Sequence, residues 1–462
     1  MKRILNKETI DKAGEEVTVS GWVDSIRSHG KILFLDLRDR SGLLQVVVKP
    51  DKIDKADDLR SEWVVKIKGT VKSRPESMVN DDLVTGTVEL QAESLEVLSK
   101  SKTPPFEIDD NGRDVNEELR MKYRYLDVRR DRMQKNLRKR HQAAHCLRNF
   151  LTDREFTEVE TPILTKSTPE GARDFLVPSR KQPGSFYALP QSPQQYKQLL
   201  MVGGLERYFQ FGRCFRDEDV RADRQAEFTQ LDMEISFTDR EEVLNLVEEM
   251  FIDLVEEVFP EKKIKEKPFP RITHEEAMSK WGSDRPDLRE DKDDQDELAF
   301  AFVVDFPMFK KFEGGFRAEH HPFTKPAGTV EELKDNPEEI KSLQYDLVLN
   351  GEEIGGGSIR THQPEMLEAI FEVLGHKKEE IKAKFGHLLE AFEYGPPPHG
   401  GIAFGFERFL MIALNEENIR EVMAFPKTGD GRGLTMGTPS KDVSDDQLQE
   451  LHIRVDKIDE EE

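Results

Sequence analysis

Five short apolar runs, separated by turn residues, fill the first hundred positions of this 462-residue chain. They cover residues 16–23, 32–37, 43–48, 64–71 and 88–98. Their lengths and their β-branched residues are typical of strands. Strands at this spacing predict a small closed barrel, because closure leaves no unpaired sheet edge. We therefore expect a barrel domain over residues 1–103.

Barrels of the oligonucleotide-binding type (OB-fold) stack bases on strand aromatics and read base edges with amides. Phe34 and Gln45 are expected on facing strands of one hairpin, where they can do this. Arg27 and His29 stand nearby as possible phosphate contacts. A barrel in which Phe34 serves only packing explains the same residues equally well. Both interpretations stay open at this point.

A second strand pair, residues 208–212 and 228–237, flanks a highly charged segment. Arg216 follows the first strand, where a guanidinium can hold a phosphate through two parallel hydrogen bonds. The segment from Asp217 to Gln225 is too charged for a core and predicts a loop over a nucleotide. The alternative is an ordinary charged hairpin.

The composition indicates a soluble globular protein of the reducing cytoplasm. Net charge is −23, and no apolar run approaches the ~20 residues that cross a bilayer. The N-terminus lacks an apolar core and carries early acidic residues, so we expect neither a signal nor a transit peptide. Two cysteines are too few for a thiolate zinc site and need not pair.

Beyond the barrel, prolines at 104 and 105 begin a predicted linker, residues 104–133. A catalytic domain is expected over residues 134–462, with amphipathic helices at 134–154 and 241–258. Residues 120–148 contain eleven Lys or Arg and only two acids. This basic stretch predicts either a solvated helix face with ion pairs or a phosphate-contacting surface.

Three sequence motifs occur in order along the second part of the chain. They are EFTEVETP at 155–162, the charged hairpin at 215–237, and GGIAFGFER at 400–408. With the barrel, they make residues 2 to about 455 resemble bacterial-type aspartyl-tRNA synthetases of class II. The resemblance implies an α+β chain, with an OB-fold anticodon-binding barrel and an antiparallel catalytic sheet flanked by helices. It also implies a homodimer with Pro162 at the interface, although the usual glycine at position 155 is Glu.

The resemblance implies an aspartate-tRNA ligase that uses ATP and Mg²⁺. The aspartate carboxylate attacks the α-phosphate of ATP, and the tRNA(Asp) 3′ end then receives the aspartyl group. Because the carboxylate is ionised at pH 7, the first step needs positioning and charge neutralisation rather than a strong base. One alternative is a nondiscriminating enzyme that also charges tRNA(Asn), which His29-Gly30 favours. Another is a catalytically silent tRNA-binding paralogue, although such proteins typically lose the motif arginines retained here.

The resemblance also assigns site residues. Arg216 is expected on the α-phosphate and the reacting carboxylate, and Arg408 on the γ-phosphate, as the catalytic residues. The other expected ATP-binding residues are Asp217, Glu218, Gln225, Glu353, Gly405, Phe406 and Glu407. Besides Arg216, the expected aspartate-binding residues are Glu170, Gln194, Gln195, Tyr196, Lys197, Asp232, His320 and Arg360. The expected Mg²⁺ ligands are Asp346 and Glu353, and the expected anticodon contacts are Arg27, His29, Phe34 and Gln45.

Substrate choice is expected to depend on Lys197 and Arg360, which resemble the family's clamp on the side-chain carboxylate. Asparagine would leave these cations unpaired, which disfavours its binding. Of the adjacent His320 and His321 in a loop resembling the family's mobile histidine loop, we favour His320 as the substrate contact. Bacterial members usually carry an inserted domain, but only a shortened insertion fits at about 285–302.

Overall fold

The computed structural model describes residues 2–51, 53, 56–167 and 171–456. The chain divides into two compact units, Met1–Val115 and Asn116–Glu462. The boundary between the units falls within the predicted linker, while the domain limits 1–103, 104–133 and 134–462 stay predictions. Within the described part of the chain, no helix is long and apolar enough to span a membrane.

The N-terminal unit is a closed five-stranded barrel, as the strand spacing predicts. Its strands are β1 (Glu16–His29), β2 (Ile32–Asp39), β3 (Gly42–Val48), β4 (Val64–Ser73) and β5 (Val88–Ser99). They close in the order β1-β2-β3-β5-β4, and only β3 and β5 run parallel. Alternate residues such as Leu35 and Leu37 on β2 point into the buried core. The OB-fold prediction is confirmed.

The second unit is built on an eight-stranded sheet. The strands of this unit, which include three further two-stranded sheets, are in chain order β6 (Thr157–Glu158), β7 (Leu176–Pro178), β8 (Phe186–Ala188), β9 (Arg207–Phe215), β10 (Glu227–Ser236), β11 (Lys263–Ile264), β12 (Arg271–Thr273), β13 (Glu297–Leu298), β14 (Phe300–Val304), β15 (Phe309–Phe312), β16 (Gly315–Ala318), β17 (Gln344–Leu349), β18 (Glu352–Ile359) and β19 (His399–Gly405). The sheet order is β12-β14-β17-β18-β19-β10-β9-β6. The sheet is antiparallel except for the outermost pair at each edge, so the predicted antiparallel catalytic sheet is confirmed at its centre.

Helices cover this sheet and complete the α+β architecture. They are α1 (Glu117–Lys122), α2 (Arg124–Asp127), α3 (Asp131–Thr152), α4 (Gln194–Val202), α5 (Arg240–Val258), α6 (His274–Trp281), α7 (Val330–Asp335), α8 (Pro364–Val373), α9 (Lys378–Phe392), α10 (Phe406–Ala413) and α11 (Asp445–Glu450). The two predicted amphipathic helices correspond to α3 and α5. Their apolar faces pack with the sheet in one core, in which Phe251 contacts Phe300, Phe404 and Phe409.

The end of α3 explains why glycine suits position 155. Phe156 N donates to Leu151 O at 3.0 Å, a bond that closes the helix terminus. The turn requires a left-handed backbone at Glu155, where φ is +64°. Glycine adopts this conformation without the steric strain that a Cβ introduces. The departure from the family motif therefore places a strained residue at a helix C-terminus.

Both interpretations of the basic stretch are wrong for three of its arginines. Arg120, Arg124 and Arg130 are buried rather than solvated or presented to phosphate. Arg124 and Arg130 contact Asp127 at 2.6 and 2.9 Å, and Arg120 holds Glu421 through two hydrogen bonds. Burial opposes ionisation of Glu421, but Arg120 outweighs it and lowers the pKa of this carboxyl to about 2. The network ties the start of the second unit to its C-terminal part.

Residues 282–296, between α6 and β13, form turns and bends without a helix or strand. The shortened insertion expected at about 285–302 begins in this connection, whose residues are largely exposed. Its C-terminal end leads directly into β13 and β14, and β14 is a strand of the eight-stranded sheet. The connection thus contains no separate domain.

Candidate active site

A cavity of about 350 Å³ lies over the central strands of the catalytic sheet. It gathers side chains from α4, β10, β17, β18 and α10, together with the loop between β9 and β10. The predicted residues that line it are Gln194, Lys197, Arg216, Glu218, Gln225, Asp232, His320, Asp346, Glu353, Arg360, Gly405, Glu407 and Arg408. Residues up to 214 positions apart in sequence, such as Gln194 and Arg408, therefore meet in one site. Glu170 lies outside the described residues.

Two predicted residues on α4 do not line the cavity. Gln195 Oε1 lies 2.6 Å from His387 Nε2, and the Tyr196 hydroxyl lies 2.7 Å from Thr165 Oγ1. Helical geometry accounts for this, because positions three apart share a face and adjacent positions do not. Lys197 therefore faces the cavity while its two preceding neighbours face other parts of the protein.

Two predicted nucleotide-binding residues also lie away from the cavity lining. The Phe406 ring packs edge-on against Phe211, with ring centroids 5.2 Å apart, and belongs to the buried core. The carboxylate of Asp217 lies 3.6 Å from Arg173 Nε on the surface. Both residues belong to the motifs by position, and their side chains serve packing and a surface ion pair.

A buried cluster of four charged side chains forms part of the cavity wall. Lys197 Nζ lies 2.7 Å from Asp232 Oδ1 and 3.0 Å from Glu234 Oε2. Arg360 holds Glu234 through two hydrogen bonds of 3.0 and 3.2 Å. Glu234 is fully buried and was not among the predicted site residues. Its signal in the sequence is a second acid two residues after Asp232, which in a strand places both on the same face.

The two acids of this cluster differ in their electrostatic balance. Burial opposes ionisation of Glu234, but Arg360 and Lys197 outweigh it and lower the pKa to about 2. Burial raises the pKa of Asp232, because one lysine compensates its charge only in part. Asp232 Oδ2 is buried and accepts no hydrogen bond of standard geometry from the described residues, although the Tyr208 hydroxyl interacts with this carboxylate. This oxygen is suited to a cationic group of a ligand.

Arg216 is held from one side only. Its Nε lies 3.4 Å from the Gln191 carbonyl oxygen, and its guanidinium lies over the Phe228 ring at 5.1 Å. Within the described residues, its two terminal nitrogens donate no hydrogen bond. A guanidinium fixed in this way presents a planar pair of donors to the cavity.

Arg408 enters the cavity from α10. Its terminal nitrogens contact Asp223 at 3.0 Å and the Glu353 backbone carbonyl. Its Nε is buried and has no partner in the described part of the chain. Glu407, in contrast, is engaged within the protein, since it accepts bonds from Arg140 and from Thr229 N. Arg408 therefore has a free donor for a ligand, whereas Glu407 supports the wall.

Asp346 and Glu353 converge on one side of Gly356. A Cβ at Gly356 would lie 3.0 Å from Asp346 Oδ1 and 3.5 Å from Glu353 Oε1. Burial and then Glu353 raise the pKa of Asp346 well above its usual value. No group of three or more metal-ligating side chains occurs in the described residues, so the protein offers a pair of carboxylates. The uncompensated negative charge and the hard oxygen donors fit Mg²⁺, which keeps most of its waters or substrate oxygens as ligands.

Both adjacent histidines line the cavity. His320 is exposed and packs edge-on against Phe306, with ring centroids 4.5 Å apart. His321 Nδ1 accepts a bond from Phe323 N at 3.2 Å, which leaves the proton on Nε2. That Nε2 is buried and has no partner among the described residues. Burial, Arg360 and Lys197 all lower the pKa of His321, so the ring is neutral at pH 7.

The predicted anticodon residues lie on or beside one outer face of the barrel. Phe34 is half-buried and lies outside the barrel core, because its neighbours Leu33 and Leu35 point inward. Gln45 Nε2 lies 3.3 Å from a carboxylate oxygen of Glu89 on β5. The face therefore combines an aromatic ring with an amide.

The two charged anticodon candidates differ in their contacts. Arg27 Nη2 lies 2.8 Å from Asp36 Oδ2, so its charge is compensated within the barrel. His29 is exposed at the end of β1. Both side chains are exposed, and 62% of the Arg27 side chain is accessible despite its ion pair.

Comparison with known families follows the division into two units. Residues 17–98 match the OB-fold nucleic acid binding domain, and residues 116–429 match the class II tRNA synthetases for D, K and N. The second match covers most of the chain. The chain belongs to the class II tRNA synthetases.

Full-length relatives of this synthetase are found in bacteria. It is 42% identical to an aspartate–tRNA(Asp/Asn) ligase of Natranaerobius thermophilus, covering 97% of this chain and 98% of the relative. It is 40% identical to an aspartate–tRNA ligase of Oceanobacillus iheyensis, covering 98% and 97%. The first alignment runs over 579 positions although this chain has 462 residues, so the relative contains residues that this synthetase lacks.

Solved structures support the fold of this synthetase. An asparaginyl-tRNA synthetase from Pyrococcus horikoshii, complexed with asparaginyl-adenylate, has a TM-score of 0.74 and 24% identity, covering 93% of this chain and 98% of that chain. An aspartyl tRNA synthetase from Entamoeba histolytica has a TM-score of 0.73 and 24% identity, covering 92% and 91%. The likeness extends over both units.

The first motif of the synthetase leads into an exposed apolar patch. Ile163 and Leu164, directly after Pro162, are 46% and 54% exposed. A backbone bridge between Thr165 and Ala188 joins this segment to the β7–β8 hairpin, which exposes further apolar side chains. Contiguous exposed apolar surface commonly marks a protein interface.

Proposed function

We propose that this synthetase is an aspartate-tRNA ligase that forms aspartyl adenylate from L-aspartate and ATP and transfers the aspartyl group to tRNA(Asp). One observation carries the proposal: the buried Lys197 and Arg360 cations line the cavity that also holds Arg216 and Arg408. Such a cavity suits an amino acid with a carboxylate side chain. Relatives of 40–42% identity with aspartate–tRNA ligase names support the same substrate.

In the first step, the α-carboxylate of aspartate attacks the α-phosphorus of ATP, and pyrophosphate leaves. The nucleophile is already ionised, so the protein supplies position and positive charge. Arg216 offers its two terminal nitrogens to the α-phosphate and the attacking carboxylate. Arg408 offers its Nε to the γ-phosphate. In the second step, a ribose hydroxyl at the tRNA 3′ end attacks the activated carbonyl carbon, and AMP leaves.

Asp346 and Glu353 would hold Mg²⁺ beside the phosphates. When bound, this ion would neutralise charge on the phosphate oxygens and on the two carboxylates. The raised pKa of Asp346, caused by burial and by Glu353, supports this assignment. The protein's own part is to keep the two carboxylates on one side of Gly356.

For the histidine loop, we favour His321 over His320 as the aspartate contact. Its unpartnered Nε2–H is a neutral donor inside the cavity, close enough to the cationic pair for Arg360 and Lys197 to influence its pKa. His320 remains beside it at the more exposed position. The loop as a whole would cover the amino acid.

The matched family includes enzymes for D, K and N, and the cavity charge distinguishes these substrates. Asparagine would place a neutral amide where aspartate places a carboxylate, so it would gain less attraction from Lys197 and Arg360, which keep Asp232 and Glu234 as their partners. Lysine would bring an ammonium group against these cations. We expect ATP–pyrophosphate exchange to depend on aspartate and to be nearly absent with asparagine or lysine.

The test is aspartylation of purified tRNAs with GUC and GUU anticodons, combined with exchange assays for the three amino acids. Aspartate-dependent exchange and charging of the GUC tRNA support the proposal. Exchange that is faster with asparagine or lysine would contradict it. We place the activity in the cytoplasm, which suits the buried Cys146 and Cys214 because neither forms a disulfide.

A nondiscriminating enzyme that also charges tRNA(Asn) is the second candidate. The exposed His29-Gly30 turn favours it, as do the Asp/Asn names of several relatives. Comparable charging of the GUU tRNA would establish this form. Charging restricted to the GUC tRNA would exclude it.

The exposed patch after Pro162 supports a homodimer with a two-fold interface. We expect sedimentation of a dimer rather than the 53.3 kDa monomer. Leu164→Glu places a charge in the patch and should shift the equilibrium toward the monomer. A monomeric wild-type protein would contradict the proposed interface.

A further inference from the structure

A chain of hydrogen bonds runs from the cavity wall into the protein and ends on a backbone carbonyl. It begins at Gln194, whose Nε2 lies 3.0 Å from Gln198 Oε1. Gln198 Nε2 lies 3.2 Å from His399 Nε2. His399 Nδ1 lies 2.8 Å from Pro397 O. The three side chains are buried, and Gln194 also lines the cavity.

The backbone carbonyl fixes the direction of every bond in this chain. Pro397 O can only accept, so His399 Nδ1 carries the proton, and Nε2 of the neutral ring must accept. An amide nitrogen can only donate, so Gln198 turns its Nε2 to His399 and its Oε1 to Gln194. Gln194 then donates a hydrogen bond from its Nε2 to Gln198 Oε1. Its carbonyl oxygen is the group left for the cavity.

The neutral state of His399 has support from its surroundings. Burial lowers the pKa of this imidazole, which Glu234 opposes only in part. The ring is fully buried at the start of β19. An imidazolium would present a donor at Nε2, and Gln198 could not then donate to it.

We propose that His399 and Gln198 are positioning residues that hold the Gln194 amide with its oxygen toward the bound amino acid. This inference rests on the proposed function, because the ligand is the α-ammonium group of aspartate. An ammonium group is donor-only. Gln194 Oε1 and Asp232 Oδ2 are two acceptors in the same cavity. A reversed Gln194 amide would instead present N–H groups to N–H groups.

The experiment compares aspartate with succinate, which keeps both carboxylates and lacks the ammonium group. His399→Phe keeps a buried ring and removes the acceptor for Gln198. We expect the aspartate Kd to rise by about tenfold or more, the loss typical of a hydrogen bond to a charged group. The succinate Kd and the ATP Kd should not change. Isothermal titration calorimetry on the full-length protein measures all three.

Two further variants make the result specific. His399→Gln supplies an amide oxygen that can accept from Gln198, so it should return the aspartate Kd toward the wild-type value. His362→Phe is the matched control, because this half-buried ring lies 6.4 Å from His399 and takes no part in the chain of bonds. It should leave the Kd of aspartate and of succinate unchanged.

Equal weakening of aspartate and succinate in His399→Phe would overturn the proposal, since it would indicate distortion of the site as a whole. An unchanged aspartate Kd would overturn it too. If His399→Phe does not fold, Gln198→Met is used instead, because it removes the acceptor for Gln194 Nε2. The Kd values of aspartate, succinate and ATP are then measured for this variant. Failure of the wild-type protein to bind aspartate would instead contradict the proposed function, independently of these variants.

Discussion

Lys197 Nζ lies 2.7 Å from Asp232 Oδ1, and both side chains are 1% exposed. Moving charges out of water costs several kcal/mol per ion, and close pairing offsets this only in good geometry. Lys197 is therefore a structural partner of Asp232 and Glu234 as well as a proposed aspartate ligand. Experiments on this residue must separate the two roles.

Lys197→Leu should weaken aspartate use strongly and leave ATP affinity largely intact. It should also lower the free energy of unfolding by ~3–5 kcal/mol, because it leaves buried carboxylates uncompensated. Adding Asp232→Leu removes the unpaired acid and should recover much of the stability without recovering aspartate binding. Aspartate KM, ATP Kd and thermal unfolding are measured on both variants. Equal losses for aspartate and ATP would mean that Lys197 does not contact the amino acid.

Arg216→Lys should reduce ATP–pyrophosphate exchange by ~10²-fold or more, the loss typical of one preorganised electrostatic donor. A lysine cannot reproduce the paired, planar donors that the Gln191 and Phe228 contacts hold in place. The matched control is Arg213→Lys on the preceding strand β9, where the guanidinium contacts Thr229 and Glu227 and does not line the cavity. Its exchange rate should stay close to wild type. A near-normal exchange rate for the Arg216 variant would show that Arg216 takes no part in adenylate formation.

The barrel strands could be predicted from the sequence because one face of each is buried. That burial imposes a period of two, and turn residues mark the strand ends. The central strand β10 shows the limit of such patterns. Its alternating Leu231 and Asp232 suggest one polar face, yet both residues are buried, because the charged face packs against Lys197 and Arg360.

Other features depend on contacts between distant segments. Arg120 meets Glu421, a partner 301 positions away, so its burial leaves no local signal. Gln195 and Tyr196 follow Gln194 in the chain but point elsewhere, because a helix turns adjacent residues to different faces. Sequence motifs thus identify the segments that form a site. The three-dimensional structure determines which of their side chains line it.

Asp346→Asn should stabilise the protein at neutral pH without divalent cations. The folded-state pKa of Asp346 is raised above its unfolded value, so the ionised carboxylate is destabilising above that pKa. The advantage of the variant should shrink as the pH falls through the raised pKa. Mg²⁺ should raise the wild-type melting temperature and not that of the variant, whose ATP–pyrophosphate exchange should fall.

The matched control for this prediction is Asp335→Asn, because Asp335 is an exposed acid at the end of α7. It should change neither the melting temperature nor the response to Mg²⁺. A variant at Asp346 that gains stability from Mg²⁺ as the wild type does would contradict the proposed metal site.

Glu155→Gly should raise the melting temperature. The left-handed backbone at this position strains a residue with a Cβ by ~1–2 kcal/mol, while glycine loses ~0.5–1 kcal/mol through unfolded-state entropy. The net gain should shift the melting temperature by ~1–3 °C. Asp153→Gly is the control, because this exposed neighbour has φ of −65° and its change should be neutral or destabilising. A lower melting temperature for Glu155→Gly would show that its side chain makes a stabilising contact.

Phe34→Ala should weaken tRNA recognition by ~1–3 kcal/mol, the usual value of a base–aromatic stack. ATP–pyrophosphate exchange needs no anticodon and should not change. Thermal unfolding should also be unaffected, because Phe34 lies outside the barrel core. The adjacent Leu35→Ala is the matched control, since Leu35 is fully buried and its truncation should destabilise the barrel by ~2–5 kcal/mol. The tRNA KM, exchange rate and melting temperature are compared for both variants. Unchanged tRNA charging by Phe34→Ala would show that this ring does not bind the anticodon. A large drop in the melting temperature of the variant would show that the ring packs in the barrel core.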